Sequence, residues 1–191
     1  MNKRLISRLM HERVSGLRNS GGYFFRDDFE HVLRGVVFEY VPSGVYIWDF
    51  RFPLFDFFGP HLTYSKRLPE RPFIGKGEMS EEAIVDYVLA TPEARDAFRA
   101  DAPMSLSEFV PFVESADLRN PYARLIHAAA SVLLGQESRA ADLLGEIPPT
   151  LHPSDVPNWS RLRASLQEGP EAARKLLDKV RQKNLQAFGL I

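Results

Sequence analysis

The densest polar run in the chain is Arg26-Asp27-Asp28-Phe29-Glu30-His31. Carboxylates and an imidazole at this spacing are the groups that hold a divalent cation or move protons. The run lies between two stretches of strand character, where Asp-Asp is ordinary turn chemistry, and the turn reading is preferred. Asp49 and Arg51 alternate on one face of the clearest strand, with Asp56 just beyond it. A metal-dependent nuclease of the mixed-sheet type needs an acid on one strand and acid-x-Lys on the next. No such triplet follows, because Lys66 is preceded two places earlier by Tyr64. Asp49 and Arg51 are therefore expected to form an outward-facing polar pair.

The five histidines, His11, His31, His61, His127 and His152, are scattered, and none has an i, i+4 partner with metal-ligand spacing. His127 sits in an Ala-rich stretch and reads as packed or capping. His61 follows Gly59-Pro60 in an aromatic segment, a more unusual place for an imidazole. Gly75-Lys76-Gly77 is too short for a phosphate loop, and no Gly-x-Ser-x-Gly elbow occurs. The absence of Cys excludes disulfides, thiolate zinc sites and cysteine nucleophiles. The expectation is no catalytic residue, no metal and no cofactor. The alternative is a hydrolase-type site assembled from dispersed residues such as Glu39, Asp49 and His61.

These residues need a scaffold, and the patterning predicts an α+β one: an N-terminal helix on a small antiparallel β-sheet, followed by an all-helical C-terminal part. Leu5, Ile6, Leu9, Met10, Val14 and Leu17 form one stripe at helical spacing, so a helix is expected over 2–18. Its basic residues read as a solvated face. Strands are expected at 23–26, 30–41, 45–52 and 61–68, with Pro42-Ser43-Gly44 as a hairpin turn. Tyr46, Trp48, Phe50 and Phe52 share one face of the third strand, and the aromatic run to Phe58 reads mainly as core. Residues 69–79, with two Pro and two Gly, read as a connector. Ser80, Thr91 with Pro92, and Ser105 or Ser107 then mark helix starts. A helix pair is expected over 121–145, divided at Gly135, and a final pair over 158–188. Two subdomains result, 1–78 and 79–191.

The formal net charge is −1, which gives no support to a general nucleic-acid-coating role, and no apolar run is long enough to span a membrane. Residues 1–10 lack the apolar block of a secretory leader, so a cytoplasmic protein is expected. Charge is nevertheless uneven. Residues 79–120 hold 3 Lys/Arg against 9 Asp/Glu, while the flanking segments are slightly basic. An acidic helical stretch attracts a basic partner and speeds encounter. Glu81, Glu82, Asp86, Glu93, Asp96 and Asp101 are the electrostatic candidates for partner binding. Phe55, Phe57 and Phe58, beyond Pro53, are the apolar ones.

In size, charge layout and lack of motifs the chain resembles the bacterial immunity proteins, small cytosolic inhibitors of antibacterial toxins. The resemblance implies a non-catalytic protein that binds another protein, such as a basic toxin or enzyme, through its acidic helices. Residues 121–145, with Tyr122, Leu125, Ile126, Ala129, Ala130 and Leu133 on one stripe, also resemble a tetratricopeptide-like hairpin. That resemblance implies a scaffold or adaptor as a further alternative.

Overall fold

Capping and strand alternation place the elements largely where the sequence signals them. The computed structural model describes residues 1–99, 103–117, 120–145 and 148–191. It shows an N-terminal helix, a small antiparallel sheet and then a helical C-terminal part. The chain divides into two compact units, Met1–Phe52 with Ser65–Met104, and Pro53–Tyr64 with Ser105–Ile191. The division is not a single cut near residue 78: the helices just after Ser80 belong to the first unit, and a short segment of the aromatic run belongs to the second.

In the first unit, Asn2 caps α1 (Lys3–Arg13) by accepting from the Leu5 N–H. The helix ends at Arg13, short of the expected residue 18, because Val14 is extended and Gly16 turns the chain with φ 67°. Leu17, which continues the helical spacing, instead opens β1 (Leu17–Ser20) and is buried there. Its pairing with β2 (Tyr23–Arg26) overrides the local pattern. β3 (Val32–Val41) and β4 (Gly44–Pro53) follow, and the order runs β1-β2-β3-β4. The far edge of β4 pairs with two short strands. β5 (Lys66–Arg67) lies opposite Trp48 and Asp49, and β6 (Phe73–Gly75) lies opposite Gly44 to Tyr46. The strand expected over 61–68 is thus cut to two residues, and the presumed connector contains a strand. Pro72 cannot donate, but its carbonyl accepts from Ile47 N–H at 3.0 Å, which continues the ladder.

Ser80 caps α2 (Glu81–Ala90), and Thr91, followed by Pro92, caps α3 (Pro92–Ala97). The core joins Ile6, Leu9 and Met10 of α1 and Ile84, Val85 and Val88 of α2 to Phe24, Val36, Phe38, Val45 and Ile47 of the sheet.

The second unit is helical apart from residues 53–64, an irregular strap. α4 (Leu106–Asp117) begins with a reciprocal capping box: Glu108 N–H donates to Ser105 Oγ, and Ser105 N–H donates to the Glu108 carboxylate. α5 (Tyr122–Leu133) is buried along most of its length and packs against α4, α6 (Glu137–Leu143) and α8 (Pro170–Ala187). α7 (Val156–Glu168) packs against α8 and contributes the fully buried Trp159.

Candidate functional site

Among the described residues, buried ionisable side chains converge in two places, one in each unit. The first is on β4. Asp49 and Arg51 are 3% and 5% exposed, which corrects the expectation of an outward pair. Val45 and Ile47 share their face, and that face is the one α1 and α2 cover; on the opposite face Tyr46 and Trp48 stay half-buried. Arg51 Nη2 donates to Asp49 Oδ2 at 2.5 Å. Arg34 of β3 stands 3.7 Å from Asp49 Oδ1 and pairs with Asp96 of α3 at 2.6 Å. Burial pushes the Asp49 carboxyl above its ordinary range, against the pull of Arg51 and Arg34, and Glu93 pushes it in the same direction. The same burial pushes the Arg51 guanidinium down. The result is a clamped charge network in which Asp49 is held by two arginines.

The second convergence is on the strap. Asp56 is fully buried, and both its oxygens are occupied: Oδ1 accepts from Tyr122 Oη at 2.8 Å and from Phe58 N–H at 2.9 Å, and Oδ2 meets His61 Nε2 at 2.8 Å. Thr63 N–H donates to His61 Nδ1 at 3.2 Å, so the imidazole carries its proton on Nε2 and donates it to Asp56. Asn184 of α8 donates from one amide nitrogen to the carbonyls of Leu54 and Asp56, each at 2.7 Å. An Asp–His pair is the orienting half of many acid–base sites, in which the free ring nitrogen serves a nucleophile or substrate. Here that nitrogen is taken by the turn, and the pair anchors the strap to its helices. Burial, followed by the neighbouring Asp56, raises the Tyr122 phenol, so it remains a donor.

The remaining polar run, residues 26–31, behaves as a turn. Arg18 pairs with Asp27, Arg26 lies 3.3 Å from Asp28, and Arg26 also donates to the Ser15 carbonyl at 2.7 Å. Among the described residues no group of three potential ligands is placed to hold a metal. None of these helices is long and apolar enough to cross a membrane.

The acidic candidates fall on α2 and α3, and several are already engaged. Glu81 accepts from Asn2 N–H at 2.6 Å, which holds its carboxyl below the usual range. Asp86 pairs with Arg13, and Asp96 with Arg34 and Arg99. Asp101 lies outside the described residues. Glu82 is exposed and has no ion pair among the described residues. Glu93 lines a hollow of about 230 Å³, together with Pro69, Glu70, Tyr87, Ala90 and Pro92. Sequence reading missed Glu70 because it lies in the presumed connector. Nothing local signals that β6 brings this segment back beside α2. A second hollow, of about 310 Å³, is basic, lined by Lys3 and Lys76 beside Tyr40.

Of the aromatic candidates, Phe55 and Phe57 are buried, at 1% and 8% exposure, and are core residues. Phe55 meets Phe109 edge-on inside the second unit, where the strap supplies apolar mass to the helices. Phe58 is 50% exposed and rests on the Tyr122 ring at 4.8 Å. α5, whose pattern resembles a tetratricopeptide-like hairpin, leaves little surface for a peptide, since most of its residues are buried.

Compared with known proteins, the chain matches no family model, no curated protein and no solved structure.

Proposed function

We propose that this chain is a non-catalytic protein-binding module that receives a basic protein on the α2–α3 side of its first unit, in the manner of an immunity or inhibitor protein. One observation carries the reading. Glu70, Glu82 and Glu93 have no ion pair among the described residues, whereas Asp86 and Asp96 of the same helices are paired within the first unit. Unpaired surface carboxylates steer a cationic partner and set its orientation. Phe58, held in place by its backbone bond to Asp56 and its contact with Tyr122, is a preorganised apolar contact on the second unit.

The test is capture of the tagged full chain from its native cells, followed by the same capture with Glu82→Lys/Glu93→Lys. A basic protein recovered in equal amount with the wild type and lost with the variant supports the reading. A monomer that captures nothing and turns over a small molecule overturns it.

A further inference from the structure

We infer that Arg67, laid across the rings of Tyr46 and Trp48, anchors a second docking surface and receives a carboxylate side chain of a protein partner. The inference does not depend on the α2–α3 reading above, because it concerns the opposite face of the sheet.

The first observation is a guanidinium held in place. Trp48 faces Arg67 across β4 and β5, and Tyr46 faces Phe73 across β4 and β6, so four large side chains stand side by side on one face. The three rings are half-buried and Arg67 is exposed. Arg67 Cζ lies 4.3 Å from the centre of the Tyr46 ring and 4.9 Å from that of Trp48. Each ring is itself supported: the Trp48 indole donates to Glu39 Oε2 at 2.9 Å, and Tyr46 rests on Phe73 at 4.8 Å. Little ordering cost therefore remains when a partner arrives.

The second is that its N–H groups are unspent. Arg13, Arg18, Arg26, Arg34 and Arg71 of the same unit each meet a carboxylate. Arg67 makes neither an ion pair nor a side-chain hydrogen bond among the described residues; its contacts are the two rings. Stacking uses the face of a guanidinium and leaves its edge of five donors, which matches the two oxygens of a carboxylate.

The third is the setting, which favours a protein. Trp, Tyr and Arg are the residues that most often anchor protein interfaces. The charged neighbour on this face is Glu39, bonded to Trp48, while Lys66 lies opposite Asp49 on the inward side. One cation beside a carboxylate cannot track a nucleic-acid backbone, which needs a row of cations. It suits a single acidic side chain set in an apolar surface that covers Tyr46, Trp48 and Phe73.

The experiment is an NMR titration of the isotope-labelled full chain, read at the indole N–H of Trp48, with that of the buried Trp159 as internal control. The probes are N-acetyl-phenylalanyl-glutamate amide, its glutamine isostere and a thymidine oligonucleotide. The glutamate probe is expected to shift the Trp48 indole and the Arg67 amide saturably while Trp159 stays in place. The glutamine probe binds about tenfold more weakly. In Arg67→Gln the two probes bind alike and the rest of the spectrum is unchanged. Equal binding of the two probes to the wild type, shifts centred away from Trp48, undiminished discrimination in the variant, or no saturable response overturns the inference. Tighter binding of the oligonucleotide than of the glutamate probe also overturns it and assigns the face to nucleic acid.

Discussion

Asp49 and Arg51 are two residues apart on β4, share its inward face, and are joined by a 2.5 Å hydrogen bond within the core layer. Breaking such a pair on one side strands a buried charge, while replacing both partners with apolar groups does not. Asp49→Asn is expected to destabilise the chain by roughly 3 kcal/mol, through the Arg51 charge left behind. Asp49→Leu/Arg51→Met is expected to recover most of that loss. Denaturant unfolding of the two variants and the wild type checks this; a double variant no better than Asp49→Asn would contradict the account.

The strap gives a second expectation. Tyr122→Phe removes one donor to Asp56 and should cost about 1–2 kcal/mol, whereas Asp56→Ala leaves several donors without an acceptor and should cost about 3 kcal/mol or more. Thermal melts of both variants provide the comparison, and the order of the two losses is the decisive reading.

Gly35 predicts a steric limit. It lies opposite Phe25 in the β2–β3 ladder, and a Cβ there would stand 1.9 Å from the Phe24 carbonyl oxygen and 2.8 Å from the Phe50 ring. Gly35→Ala therefore has to push strands apart, and a loss of about 3 kcal/mol is expected. Gly77→Ala, which meets nothing within 4 Å but sits at φ 82°, carries only the cost of the left-handed backbone and should lose about 1 kcal/mol. Comparable melting temperatures for the two would refute the packing argument.

Tyr40 sets an alkaline limit. Burial, with help from the Glu81 carboxylate, pushes its phenol from the ordinary 10.0 up to about 12. The folded state therefore holds this proton where the unfolded chain releases it. The contribution is fully present below pH 10 and is lost as pH rises toward 12. Unfolding free energy measured across that interval should fall with pH, and Tyr40→Phe should flatten the slope. Tyr23 and Tyr122, also raised, leave a residual slope.

Much of the fold was legible because its signals are local. Ser80, and Thr91 with Pro92, cap helices where their chemistry says they should, and Gly135 divides α5 from α6. The hairpin at Pro42-Ser43-Gly44 and the alternation along β4 are local too. The errors came from long-range partners. Nothing near Leu17 announces that β2 will claim it, and nothing near Asp49 says that α1 and α2 will cover its face. The strand period gave the two faces of β4 correctly but not that both are buried from Asp49 to Phe52. Asp56 and His61 attracted attention as a carboxylate and a loop imidazole. Their meaning depends on Tyr122 and Asn184, which no spacing rule links to them. The α2–α3 acids were visible as composition, but the ion pairs that hold Asp86 and Asp96 were not.

The strap also has a consequence during translation. Asp56 finds its tyrosine partner 66 positions later in the chain, and its backbone carbonyl finds Asn184 128 positions later. The ribosome therefore releases a carboxylate, Leu54 and Phe55 long before the groups that enclose them exist. The second unit cannot close until α8 has emerged, so its closure lags behind any pairing of the sheet on the nascent chain.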